Sequence, residues 1–298
     1  MKTLVTVSIC LAIAWPSMAQ TPKERSVQHK ELIVQADASS NAGDYKKAVP
    51  LYDSALALVN WDVFAYFDAT LAALQAGRED KANEFLLKGV EHGFVPSVYQ
   101  DSIYTAFLAS DASKPFRDQQ AEATKKFAAH ADSATIKQLM RLATTDQASR
   151  EGTPSDLRND SLNFEELITI CENKDFPTAH TVGSTSGTPW LLLWHHRGAE
   201  YPDSPQWKRI IPYIEKAIDT GDLDPAFLCM FEDYSNGEKG IPMQYGVLIG
   251  YYRNFPEKLY LADRAQMNAN RAKVGMGTIE DAAFISGVDL TKVRFAEP

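Results

Sequence analysis

The chain has 298 residues, 30 Lys and Arg against 39 Asp and Glu, a formal net charge of −9 and 45% hydrophobic residues. This is a globular composition, long enough to bury more than one core, and it excludes low-complexity, collagen-like and rod-like architectures. The acidic balance also argues against a nucleic-acid binder, because phosphate recognition needs a concentrated basic face.

Lys2 is the only charge before Lys23, residues 4–15 are apolar, and Ser17 and Ala19 put small side chains before a cleavage point. That is the layout of a secretory signal peptide. Cleavage after Ala19 leaves 279 residues (298 − 19) and, with Lys2 gone, a formal charge of −10. The expected location is the periplasm or the outside of the cell. The apolar run is too short to span a bilayer, which takes about 20 residues, and no later segment is apolar enough to span one. Cys10 leaves with the leader. Cys171 and Cys229 remain, compatible with one disulfide or with two buried thiols. No CxxC is present, which excludes a zinc ribbon.

Next comes an internal echo. Gly43-Asp44-Tyr45-Lys46-Lys47-Ala48 returns 34 residues later as Gly77-Arg78-Glu79-Asp80-Lys81-Ala82, and Leu51/Phe85, Tyr52/Leu86 and Ala55/Gly89 keep the offset. This is the period of the tetratricopeptide repeat, a helix-turn-helix unit. Small residues at Ala48 and Ala82 let paired helices approach. Tyr52, Leu56, Phe64, Phe67 and Leu71 are expected to fill the layer between hairpins. Residues 24–41 supply the preceding helix, and the segment after Gly93 caps the stack, since repeats are stable only when stacked.

Residues 97–150 read as further helices, with Ala121, Phe127, Ile136, Leu139, Met140 and Ala143 at helical spacings. A loop is expected at 152–154. Asp160 or Ser161 can cap a helix through Leu167 and Ile170, and 183–187 is a Gly/Ser/Thr loop. Thr188-Pro189 reads as a helix start, followed by a deeply buried stretch, 190–194, and an end near Gly198. An amphipathic helix over 205–220, a helix over 224–234, a loop over 236–242 and a polar helix over 256–272 complete the expectation: an all-α chain without runs of alternating strands.

From Asp146-Gln147-Ala148-Ser149-Arg150 to about residue 287 the chain resembles the bacterial domain-of-unknown-function family 6624. The resemblance rests on Asp146, Gln147 and Arg150, on Phe176-Pro177 and Val182-Gly183, and on the apolar segment ending in His195. Gln206, Asp233, Gln244-Tyr245-Gly246 and Arg271 continue it. Departures fall at Arg197, at Tyr234 after Asp233, and at Val247-Leu248, where the family prefers Thr-Gln. The expected organisation is a signal peptide over 1–19, tetratricopeptide-like repeats over 20–95, a helical connector or cap over 96–137, and the resembling domain over 138–290.

Two functions are compatible with these residues. The first is an exported binding protein that takes a protein or peptide in the groove of its repeats. The second is a metal-independent hydrolase or transferase, with His195 as acid or base held by Asp146 or Asp233. Gln147, Arg150, Gln206, Gln244, Tyr245 and Arg271 are then the candidate ligand-binding residues. Asp146 and Arg150 stand at i and i+4, which also suits a plain surface ion pair. His195 and His196 point about 100° apart on a helix, so they do not ligate one metal together. Neither a metal nor a cofactor is expected. Gly183-Ser184-Thr185-Ser186-Gly187 lacks the central serine of a nucleophile elbow, and Gly275-Met276-Gly277 lacks the third glycine of a dinucleotide loop.

Overall fold

The computed structural model describes residues 20–148, 157–198 and 200–297. The expected leader, the 152–154 loop and Arg150 lie outside the described residues. The fold is all-α.

Helix α1 (Pro22–Asn41) opens with a capping box. The Thr21 hydroxyl accepts from Glu24 N–H, and the Glu24 carboxylate accepts from Thr21 N–H. Helices α2 (Tyr45–Leu58), α3 (Ala65–Gln75) and α4 (Glu79–Glu91) follow. Consecutive helices pack on one another from α1 to α4. Both segments related by the 34-residue offset, α2 and α4, are helices, and Gly43 and Gly77 turn the chain into them with φ of 78° and 70°. Ala48 and Ala82 are fully buried. Phe64 departs from expectation. It precedes α3 at the N-cap position, outside the layer it was expected to fill, and is 48% exposed.

Helices α5 (Ser102–Ala109), α6 (Lys114–Ala128) and α7 (Ser133–Ala148) come next. On α7 the buried side chains are Thr135, Leu139, Leu142 and Asp146, at steps of four, three and four. Met140 falls outside that stripe and is exposed, against expectation.

Helix α8 (Leu157–Lys174) starts before its expected cap, which places Asp160 inside its first turn. After α9 (Ala179–Val182), α10 (Gly187–His195) starts ahead of Thr188-Pro189 and ends at His195. Only Pro189, Leu192 and Leu193 of α10 are fully buried, and the Trp190 and Trp194 rings stack at 5.5 Å on its half-buried side. Helix α11 (Pro205–Asp219) is capped by the Ser204 hydroxyl. Helix α12 (Cys229–Glu238) lies later than the expected 224–234 and takes in Asn236.

The expected helix over 256–272 is not continuous. A short turn at Pro256–Lys258 leads to a two-residue strand, β1 (Tyr260–Leu261), and helix α13 (Arg264–Lys273) begins only where Asp263 caps the Ala265 and Gln266 N–H groups. Leu259 and Leu261, both fully buried, demand an extended segment there, because alternate residues share one face of a strand. Helix α14 (Ile279–Ser286) and strand β2 (Arg294–Phe295) finish the chain, and β2 pairs parallel to β1.

Buried side chains gather in three clusters. One joins α1–α6, one joins α7, α8, α10, α11 and α12, and one joins the segments after Met243. Trp194 packs against the second and the third. Helix α1 also ties the first cluster to the later chain. Lys23 pairs with Asp219 at 2.7 Å and Lys30 with Asp224 at 2.6 Å, and Trp61 Nε1 donates to the Gly221 carbonyl at 2.7 Å. The backbone of α1 comes so close that a Cβ on Gly221 would lie 2.6 Å from the Pro22 oxygen, and one on Gly275 would lie 2.5 Å from the Val27 oxygen. Cys171 and Cys229 are free, buried thiols. No helix among the described residues is long and apolar enough to cross a membrane.

Candidate functional site

The buried stripe of α7 ends in Asp146, so this carboxylate is carried inward rather than left on a solvated face. Opposite it stands His195, the last residue of α10. Its Nδ1 lies 2.7 Å from Asp146 Oδ1. The Asp146 side chain is 1% exposed and that of His195 12%. Asp146 Oδ2 accepts from Gln147 Nε2 at 2.6 Å. With Nδ1–H donating to the carboxylate, Nε2 of a neutral His195 is the nitrogen that can take a proton, the arrangement of an oriented acid/base histidine.

Asp160 joins this pair, although the sequence singled it out only as a helix cap. An oxygen of Asp160, an oxygen of Asp146 and a ring nitrogen of His195 lie within 4.8 Å of one another. One imidazole and two carboxylates form a donor set that divalent cations accept. A cation here would have to compete with the hydrogen bond between His195 and Asp146. No linear motif announces the trio, because its members come from α7, α8 and α10. Next to it, His196 Nε2 donates to the Asp160 carbonyl at 2.8 Å, and the His196 ring lies 4.5 Å from that of Phe164. Burial pushes its imidazole down, so His196 is a neutral tether between α10 and α8. Gln206 lines a polar cavity of about 100 Å³ with Ser161, His196 and Glu200, room for a few waters.

Asp233, Gln244, Tyr245 and Arg271 form a different cluster. Asp233 is fully buried. Its Oδ1 accepts from the Gln244 and Tyr245 N–H groups and its Oδ2 from Val247 N–H, at 2.6, 3.0 and 2.9 Å. Gln244 turns its amide onto the Pro242 carbonyl. Arg271, also buried, donates to the Tyr245 and Gly277 carbonyls. Gln244-Tyr245-Gly246 is a loop, clamped by Asp233 on one side and Arg271 on the other. Burial pushes the Asp233 carboxyl up to about 6, against the three N–H donors that favour its charge. The structure therefore brings Asp146 to His195 and commits Asp233 to its own loop.

A third arrangement lies on the first half. Helices α1, α2 and α3 wall an open cavity of about 450 Å³, with Asp101 and Ile285 at its rim. Asp37 accepts from the Tyr52 hydroxyl at 2.6 Å. Asp68 reaches solvent but is surrounded by the groove walls; burial, then the charges of Asp37 and Asp62, push its carboxyl up to about 7. Val34, Leu71 and Ala72 give the cavity apolar lining.

Comparison with models of known protein families, with curated proteins and with solved structures gives no match.

Proposed function

We propose that the chain is an exported binding protein that takes a protein or peptide segment in the groove of tetratricopeptide-like repeats, ahead of a second region of the unknown-function family 6624 type. One observation carries the reading: the open cavity of about 450 Å³ on the face shared by α1 and α3. Its mixture of carboxylates, tyrosine hydroxyls and apolar lining suits an extended peptide, which offers N–H donors and side chains alternately. The export part rests on Lys2, the apolar run and Ala19; intact mass of the exported protein should show residues 1–19 missing, and a mature chain that keeps Met1 overturns it.

The groove itself is tested by selecting a displayed peptide library on the mature chain and counter-testing the double variant Asp68→Arg/Gln75→Arg. Both positions are exposed on α3, so the variant should keep the wild-type melting temperature. Selected peptides should bind the wild type and lose at least about tenfold in affinity on the variant, as like-charged or blocked contacts cost on the order of 1–2 kcal/mol. Peptides held equally by both proteins, or no enrichment at all, would defeat the reading.

A second reading, acid/base chemistry, is favoured by the 2.7 Å contact of His195 with Asp146. His195→Gln retains a donor toward Asp146 and should leave urea stability within about 1 kcal/mol of wild type, while removing proton transfer. A hydrolase or transferase activity found with model esters or amides should then fall at least about 100-fold. An activity untouched by this change, or a variant that unfolds several kcal/mol more easily, assigns His195 to structure.

A further inference from the structure

Between the first and second clusters lies another cavity, of about 340 Å³, lined mainly by apolar groups. That is within the usual size of small-molecule sites. Four rings line it: Trp61, Phe64, Trp190 and Phe227. Three of them are fixed by contacts of their own. Trp61 is held by its hydrogen bond to Gly221, Trp190 by stacking on Trp194, and Phe227 by an edge contact with Phe176 at 5.6 Å. Phe64, the aromatic expected in the repeat layer, instead stands exposed beside Gly187 at this cavity.

Three carboxylates share the lining: Asp62, Asp222 and Asp224. Two are already balanced. Asp224 is paired with the Lys30 ammonium at 2.6 Å. Asp62 accepts from His29 Nε2 at 3.0 Å, while His29 Nδ1 faces the Ala55 carbonyl at 2.9 Å. Both nitrogens of His29 therefore face oxygen acceptors, and although burial raises the Asp62 carboxyl, the His29 hydrogen bond and the Lys30 charge hold it below its ordinary value. Asp222 is different. It faces the half-exposed His180 at 3.3 Å, whose imidazole burial pushes down while the Asp222 charge pushes it back up. The Thr220 hydroxyl gives Asp222 a hydrogen bond but no charge.

An aromatic-walled cavity whose Asp222 carboxylate meets a histidine at 3.3 Å, rather than a lysine or arginine, is complementary to one cation with an apolar skin. Ring faces attract such cations, and most strongly those too poorly hydrated to prefer water. We infer that this cavity is a binding site for a quaternary or alkylated ammonium group, held between the four rings and Asp222. The site is separate from the repeat groove and from His195, and does not depend on either functional reading.

Choline and 3,3-dimethylbutan-1-ol, its uncharged carbon isostere, are the probes. Each is titrated into the full mature chain while tryptophan fluorescence is followed, since Trp61 and Trp190 would touch the ligand. Choline should change the emission saturably, and the isostere should bind at least about tenfold more weakly, because it fills the same space without the charge. Phe64→Ala and Asp222→Asn retain every tryptophan and alter exposed or half-exposed side chains, so both should fold; unchanged melting temperatures check this. Each should weaken choline several-fold. Absence of saturable binding, equal binding of choline and isostere, or wild-type affinity in both variants would overturn the inference.

Discussion

Asp233→Ala should lower the free energy of unfolding by about 3 kcal/mol or more, because three backbone N–H groups lose their acceptor together and each unsatisfied donor costs about 1–3 kcal/mol. The carboxylate is fully buried and clamps the turn of Gln244, Tyr245 and Val247 from α12. Removing it also leaves the Arg271 guanidinium without the nearby charge that offsets its burial. Urea titration should show an earlier midpoint with an unchanged slope. A loss below about 1 kcal/mol would mean that the loop holds itself. The same group has a pH signature. Its carboxyl is raised to about 6 from an ordinary 3.8. Below about pH 4 it is protonated in both folded and unfolded chains and no penalty arises. As pH climbs through 6 the folded chain must carry the buried charge, and about 2–3 kcal/mol of stability is lost. Asp233→Asn carries no such charge. The stability of wild type minus that of Asp233→Asn should therefore fall between pH 4 and pH 7, and a flat difference would contradict the burial argument.

Gly275→Ala should cost at least about 2 kcal/mol and loosen α1 from the later chain. Two penalties add. The residue sits at φ +72°, where a side chain costs about 1–2 kcal/mol. The new Cβ would also stand 2.5 Å from the Val27 carbonyl oxygen and 2.9 Å from Lys30 Cβ, and backbone cannot step aside as a long side chain can. Gly287→Ala is the control. Its φ is +67°, but nothing lies within 4 Å of its Cβ position, so it carries only the conformational cost. The two variants should differ by about 1 kcal/mol or more in denaturant midpoints, with faster proteolysis in α1 for Gly275→Ala. Equal costs would show that α1 does not press on this turn.

The helical character was legible because apolar periodicity and caps are local. Thr21, Asp44 and Ser204 each cap the helix that follows them. The spacing of Gly43 and Gly77 marked two turns of like geometry. Boundaries were less legible where tertiary packing decides them. Asp160 looks like a cap and lies within a helix, and the polar stretch before Asp263 looks helical but includes an extended segment in which Leu259 and Leu261 are buried. The candidate site was half legible. Asp146 stood in the sequence as one of two candidate partners of His195, but its inward turn, in a stripe with Thr135, Leu139 and Leu142, is visible only in the fold. Asp160 was missed because it meets them only across three helices. Asp233 and Gln244 invited a place beside His195, but an acid with three N–H groups in reach is fully used where it stands. Phe64 misled for a related reason: repeat spacing places it, but it falls before the first turn of α3.

The most direct test of the groove reading is amide hydrogen exchange on the mature chain, with and without a peptide selected on it. Amides respond where opening is suppressed by the bound segment. Protection should rise along the faces of α1 and α3 that carry Asp37, Asp68 and Gln75, and remain unchanged in α7 and α10 around Asp146 and His195. Protection confined to the helices around His195, with α1 and α3 unaffected, would contradict the account.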